Sequence, residues 1–340
     1  MKNLFRYLRI DEWISSKVTM MLGVAAYFIC LGNVGIYDAA KILGAYFLFL
    51  SMLAAISYVA NDFSDMEADM KVGKKKVIAS LPRPVIWLSF VIMALIGDIP
   101  IMLCAENKLL CAALIIVTTF MGVAYSIPGI RFKERGVLGL IQCSVAQHCL
   151  PLTPLFLFFG FDGTNAFVWI IWFVLSFFDG LRYILIHQYT DRENDRLSGT
   201  HTFVADGRVN IRRFVIALAI SEGICCLLLM IPLFAAHKAI ILAGVIFNIA
   251  LEFCIWMVLN VYAKKDWIVS FDSVPLEAFL NAIMPFMFGL CMMKINRWAG
   301  LFSLFILICC YSMMKIKLGI AAVFVKSKLS REKQKGAEDL

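Results

Sequence analysis

Ten apolar runs of about twenty residues each constrain this chain more than any other feature. They fall near 15–34, 41–61, 84–104, 108–127, 137–159, 166–189, 213–234, 238–261, 275–293 and 298–316. Each is long enough to cross the ~30 Å hydrocarbon core of a bilayer. In hydrocarbon, backbone N–H and C=O groups must be satisfied within the segment, so runs like these fold as helices. The chain is 61% hydrophobic, against roughly 45–50% in a soluble domain. The expectation is an all-α, multi-pass transmembrane bundle of nine or ten spans, forming one domain over residues 1–340. Residues 1–14 read as an interfacial segment, and 319–340 as a basic tail that can lie on anionic headgroups. Met1 to Asp11 is charged and lacks the short apolar run of a cleaved signal peptide, so the first long run is read as the first span.

A net charge of +8 raises the question of nucleic acid, but its distribution answers a different one. With the N-terminus placed inside, only Lys41, Lys108, Lys238, Lys294 and Arg297 fall on the outer side, out of 32 Lys and Arg. Positive residues mark the cytoplasmic face. Both termini are therefore expected inside, in an integral protein of the cell membrane, with no nucleic-acid partner.

The second run leads straight into Asn61-Asp62-Phe63-Ser64-Asp65-Met66-Glu67-Ala68-Asp69. No Gly or Pro intervenes, so the helix is expected to continue. Asn61, Asp65 and Asp69 then share a face at i, i+4 and i+8, with Asp62 beside them. Carboxylates this close repel unless a cation is present, and hard oxygen ligands suit Mg²⁺. Gly73 is expected to end the helix, and Lys71, Lys74, Lys75 and Lys76 surround it. These lysines are either an ordinary basic loop or a cationic loop that closes over a metal-held polyanion.

The sixth run ends in a second acidic pair, Asp191 and Asp195 at i, i+4, with His187 one turn earlier. The same charge pattern puts both acidic clusters on the cytoplasmic side. The fourth run ends in Tyr125-Ser126-Ile127-Pro128-Gly129, a turn signal, followed by Arg131 and Lys133 on the same side. Tyr125 is an aromatic-belt position by default, and the two cations are topology signals or anion ligands. Gln142, Gln147, His148, Asp179, Arg182, Glu222, Asn248, Glu252 and Asn281 sit within apolar runs. Polar groups at that depth face a bundle interior or a cavity. Asp179 and Arg182, at i, i+3, are placed to neutralise each other. Eleven cysteines show no paired zinc-ligand spacing and read as small core residues.

Two acidic clusters on one membrane face suit a diphosphate, whose oxygens metal ions bridge while they offset charge as a C–O bond breaks. The organic part would be apolar and lie between spans.

On these residues the chain resembles the UbiA superfamily of intramembrane prenyltransferases. Asn61-Asp62-x-x-Asp65-x-x-x-Asp69 resembles that family's first aspartate-rich motif, and Asp191-x-x-x-Asp195-Arg196-x-x-Gly199-x-x-Thr202 its second. Tyr125-Ser126-x-Pro128 with the following basic residues resembles its loop after the fourth span. The resemblance implies a helical bundle around a central cavity open to the cytoplasm. It implies that Asn61, Asp65, Asp69, Asp191 and Asp195 bind two Mg²⁺ and a prenyl diphosphate donor, with Asp62 nearby. Lys71, Lys74, Arg131 and Lys133 become candidates for the diphosphate cap. Asp65, Asp191, Tyr125 and His187 are the candidate catalytic residues, with Glu222 an alternative base. The implied reaction is Mg²⁺-dependent prenyl transfer to a small-molecule acceptor, an aromatic or quinone precursor, within the bilayer. Three other readings remain: a terpene cyclase of the same superfamily, an enzyme like the CDP-alcohol phosphotransferases, and a cation transporter. The chain departs from the family by a tenth apolar run and by the late position of Arg83-Pro84, with Lys74–Lys76 nearer the first motif.

Overall fold

Apolar runs that must satisfy their own backbones become helices, and the chain does this throughout the part described. The computed structural model describes residues 2–71, 73, 76–161, 165–207, 210–262 and 276–322, and every regular element there is helical. In chain order they are α1 (Lys2–Leu8), α2 (Ile10–Leu31), α3 (Ile36–Ser64), α4 (Met66–Lys71), α5 (Arg83–Cys104), α6 (Lys108–Ala124) and α7 (Val137–Phe159). They continue as α8 (Ala166–Ser198), α9 (Phe203–Asp206), α10 (Ile211–Trp256), α11 (Phe279–Met292), α12 (Arg297–Cys309) and α13 (Tyr311–Ala322). Six of the described helices, α2, α3, α5, α7, α8 and α10, are long and apolar enough to cross a membrane. The pair α12–α13, bent by 68°, would be a seventh. Residues 323–340, most of the basic tail, lie outside the described residues.

The sequence reading places a break between 234 and 238. The break falls there: the stretch Ile211–Trp256 is divided at His237, whose backbone is non-helical (φ −130°, ψ 24°), five residues past Pro232. Straight, it would be roughly 69 Å long at 1.5 Å per residue, more than twice the hydrocarbon thickness. A proline that removes one helical hydrogen bond is the usual cause of such a bend. The last run also divides, because Cys310 leaves helical geometry (φ −93°, ψ 2°).

The surface is inverted relative to a soluble protein. Trp87, Leu88, Val91, Leu95 and Ile99 stand exposed along α5, and Ile224, Leu227 and Ile231 along α10. Contiguous apolar faces of this length are costly in water and favourable against lipid, which makes this an integral membrane protein. The interior is close-packed. Tyr27 on α2 meets Trp172 on α8 and Phe288 on α11 edge-on, at 5.4 and 5.3 Å between ring centroids. Gly23 lets α2 approach α11, where a Cβ would come within 2.8 Å of Pro285. All eleven cysteines are free thiols, most of them buried.

Charges inside the bundle are paired. Arg182 on α8 donates to Asp179 (2.7 Å) and to both carboxylate oxygens of Glu222 on α10 (2.7 and 2.9 Å). His148 on α7 lies 2.9 Å from the other Asp179 oxygen. The expected Asp179–Arg182 pair is therefore part of a larger group that ties α7, α8 and α10 together. Lys317 on α13, nearly fully buried, pairs with Glu277 at 3.0 Å. A buried group with one partner removed leaves an uncompensated charge, typically worth about 3–5 kcal/mol. Arg182→Met is accordingly expected to lower the melting temperature in detergent sharply, whereas Lys41→Met, in an exposed surface pair, should change it little. Equal effects would contradict the pairing.

Candidate active site

Two long helices end at one place. The C-terminus of α3 carries Asn61 and Asp65, and the C-terminal turns of α8 carry Asp191, Asn194 and Asp195; all line one cavity of about 490 Å³. A helix C-terminus bears partial negative charge, so two of them with carboxylates attached make a strongly cation-seeking mouth. The expected helix continuation past Asp65 holds in its hydrogen bonds. Asp65 leaves helical geometry (φ −98°, ψ 4°), yet its N–H reaches Asn61 at 2.9 Å and the Asp69 N–H reaches Asp65 at 2.8 Å. The i, i+4 spacing survives, and Asp69 faces the same cavity. Gly73 sits in a turn at φ +76°, just past α4.

The second acidic pair is set by how α8 stops. Gly199 takes the left-handed conformation (φ +71°), which costs glycine little. Its N–H bonds to the Arg196 carbonyl at 3.3 Å, and the Thr200 N–H to the Asp195 carbonyl at 2.8 Å, a Schellman stop. The chain thereby turns back on itself. Thr202 donates to Asp195 Oδ2 at 3.1 Å and caps α9 by accepting from the Ala205 N–H at 3.3 Å. His187 Nδ1 lies 3.1 Å from Asp191, as the i, i+4 spacing requires.

Cations occupy the carboxylates from three other segments. Lys133 donates to Asp65, and Arg131 reaches the same oxygen at 3.4 Å. Arg131 holds a left-handed backbone (φ 44°), an uncommon state for a non-glycine residue. Arg9, at the start of α2, donates to Asp62 at 2.8 Å and to Glu12 at 2.7 and 2.5 Å. Lys76 lies 2.7 Å from Asp62 and 2.6 Å from Asp69. Burial works against the Lys76 ammonium, but Asp62 and Asp69 outweigh it and hold its pKa above the usual 10.5. Ser126, just past α6, donates to Asn61 at 2.6 Å.

The sequence-derived residues do not all share one role. Asn61, Asp65, Asp69, Tyr125, Lys133, His187, Asp191 and Asp195 line the cavity. Asp62 is not among its lining residues; it is buried and anchors Arg9 and Lys76. Arg131 reaches in through Asp65 alone. Lys74 and the Lys71 side chain lie outside what is described. Sequence reasoning missed Arg9, Glu12, Lys17, Tyr58, Tyr183 and Asn194 as cavity residues, while Gln147, read as facing the bundle interior or a cavity, lines it. Lys17 carried a usable signal, a lone cation two residues inside an apolar run. Arg9 carried none, because it lies 53 residues from Asp62.

Among the described residues no three His, Cys, Asp or Glu side chains lie close enough to hold a metal by themselves. The donor set still fits a hard divalent cation, since Asn61, Asp65, Asp69, Asp191, Asn194 and Asp195 offer oxygens to one cavity. Mg²⁺ commonly takes one or two carboxylates and completes its shell with phosphate oxygens and water.

Geometry and sequence agree with what comparison finds. The UbiA prenyltransferase family matches residues 18–283, well over half of the chain, and the chain belongs to that family. No curated protein matches it. A solved structure of a UbiA homolog from Archaeoglobus fulgidus bound to GPP and Mg²⁺ is 15% identical, with 94% of this chain and 99% of that one covered at a TM-score of 0.49. That likeness is too loose to build on.

The Lys76 pairing has a direction in pH. Its pKa in the folded protein lies above the unfolded value, so the stability it contributes is whole below about 10.5 and is lost as pH rises through the folded pKa. The melting temperature in detergent should fall above about pH 10.5, and the fall should be shallower in Lys76→Met. Identical alkaline slopes would rule the ion pair out as a contributor.

Proposed function

We propose that this chain transfers a prenyl group from a prenyl diphosphate to a small-molecule acceptor inside the bilayer. One observation carries the reading. Two acidic helix ends share a cavity whose rim is cationic, and that cavity adjoins a narrow apolar pocket of about 30 Å³ between α2, α3 and α7. A diphosphate suits the polar cavity, and the adjoining apolar pocket marks where its chain would enter between the helices.

Asn61, Asp65, Asp69, Asp191 and Asp195 would hold Mg²⁺, two ions in our reading. When bound, the metal supplies positive charge that neutralises diphosphate oxygens as they become a leaving group. The protein's own cations do the rest. Lys133, Arg131, Lys76 and Arg9 are held at the mouth by Asp65, Asp69 and Asp62, within reach of a phosphate that takes over part of that pairing. Such charge-assisted hydrogen bonds need no reorganisation far from the site. Asp62 serves as the anchor of this rim. Tyr125 and Ser126 shape the wall between the two acidic ends. His187, steadied by Asp191, is a base for the proton that the acceptor loses. In our reading the acceptor is aromatic, a quinone precursor. Nine or ten spans surround the cavity, and the mouth and both termini face the cytoplasm of a cell-membrane protein, as the distribution of Lys and Arg indicates.

The test is diphosphate release from geranylgeranyl diphosphate by the purified protein in detergent. EDTA should abolish release, and Mg²⁺ should restore it. Asp65→Ala and Asp191→Ala should each reduce kcat by about 10²-fold or more. Undiminished release in both variants would overturn the proposal. A cyclase would release diphosphate with no dependence on acceptor, and a transporter would release none.

A further inference from the structure

Lys17 stands apart from the other cations of the cavity. Arg9, Lys76 and Lys133 each rest on a carboxylate. Among the described residues no carboxylate lies within ion-pair distance of Lys17. Its ammonium donates instead to the Gln147 amide oxygen. It also sits 4.8 Å from the ring centre of Tyr58 and 5.3 Å from that of Tyr183. Arg9 lies 4.8 Å from the Tyr58 ring as well. This is a box of two π faces and a neutral oxygen, a surrounding that selects positive charge without neutralising it.

Its depth matters. Tyr58 precedes Asp65 by seven residues on α3, and Tyr183 precedes Asp191 by eight on α8. At 1.5 Å per residue the box lies roughly 10–12 Å below the acidic mouth. Side chains on both helices tilt toward their N-termini, away from the mouth. Lys17, Ser57, Tyr58 and Gln147 line both the main cavity and the apolar pocket. The box is therefore the throat between the place for the diphosphate and the place for the apolar chain. A prenyl diphosphate has its allylic carbon at that junction.

We propose that Tyr58, Tyr183 and Gln147 form the binding site of the allylic carbocation, and that Lys17 holds this site until substrate arrives. The inference rests on the prenyl-transfer reading. The C1–O bond breaks with both electrons going to the diphosphate oxygen, and the positive charge spreads over the allyl carbons against the two ring faces. The acceptor's electron pair then bonds to C1, and the acceptor gives up a proton to the mouth of the cavity. Lys17, on its flexible stem, leaves the rings for the bound diphosphate, a stronger partner than a neutral amide. Otherwise its charge would oppose the cation; the charge of Arg9, also 4.8 Å from the Tyr58 ring, is balanced by Glu12 and Asp62.

Two measurements test this. In Mg²⁺-dependent release from geranylgeranyl diphosphate, Tyr58→Leu and Tyr183→Leu should each lower kcat by about 10-fold, the order expected for one desolvated cation–π contact. The KM for donor should change less than about twofold, because ground-state binding stays with the mouth. Tyr58→Phe and Tyr183→Phe should restore most of what leucine loses. Leucine variants that keep kcat, or phenylalanine variants that fall as far, would overturn the proposal. The second measurement needs no turnover. Geranyldimethylammonium, a stable cation of the right shape, is titrated calorimetrically into the detergent-solubilised protein with Mg²⁺ and inorganic diphosphate. Lys17→Met should bind it more tightly than wild type, and Tyr58→Leu more weakly; unchanged affinity in both would overturn the box. A wild type that releases no diphosphate would sink the transfer reading itself, while the titration would still report on the box.

Discussion

Everything at the mouth depends on charge compensation between two helix ends. Asp65 and Asp191 stand at the end of α3 and in the C-terminal turns of α8, where the helix dipoles already favour cations. Left alone, the carboxylates would repel and the ends would splay. Lys133, Arg131, Lys76 and Arg9 answer the first cluster, pairing with Asp62, Asp65 and Asp69, while Asp191 lies against His187 and Asp195 accepts from Thr202. These cations come from three stretches of chain, so the ion pairs also fix the positions of the N-terminal segment and two loops around the cavity. Asp62 is the hinge of the arrangement, buried beneath Arg9 and Lys76 and bonded to both.

The same rule operates deeper. Arg182 is held between Asp179 and Glu222, and Lys317 against Glu277. In a bundle surrounded by hydrocarbon, van der Waals packing discriminates poorly among apolar neighbours. Buried charge pairs are more selective, because a wrong register strands a charge. They hold α8 against α10, and so hold the Asp191 end in place. Lys17 breaks the pattern in being balanced only by aromatic faces and an amide, and it does so where the polar cavity narrows into the apolar pocket.

Much of the fold was legible in the chain. Run length alone predicted the helices, since the hydrocarbon core leaves the backbone no alternative. The i, i+4 spacing predicted that Asn61, Asp65 and Asp69, and likewise His187 and Asp191, would face together. The break expected between 234 and 238 is met at His237, where the backbone leaves helical geometry. The N-terminal segment was read as an interfacial helix and its Arg9 as a topology signal, and nothing local could have shown that it reaches Asp62.

The sequence by itself determined which groups carry charge and which helix face bears them, because both follow from residue type and a fixed period of 3.6. Tertiary structure alone decided which cation answers which carboxylate. It made Asp62 an anchor and placed Asp65 on the cavity wall, though the two lie three residues apart on one helix. It also seated Lys17 between Tyr58 and Tyr183, residues 125 positions apart. The physical reason is that electrostatic and π contacts act over a few ångströms in space and are indifferent to separation along the chain.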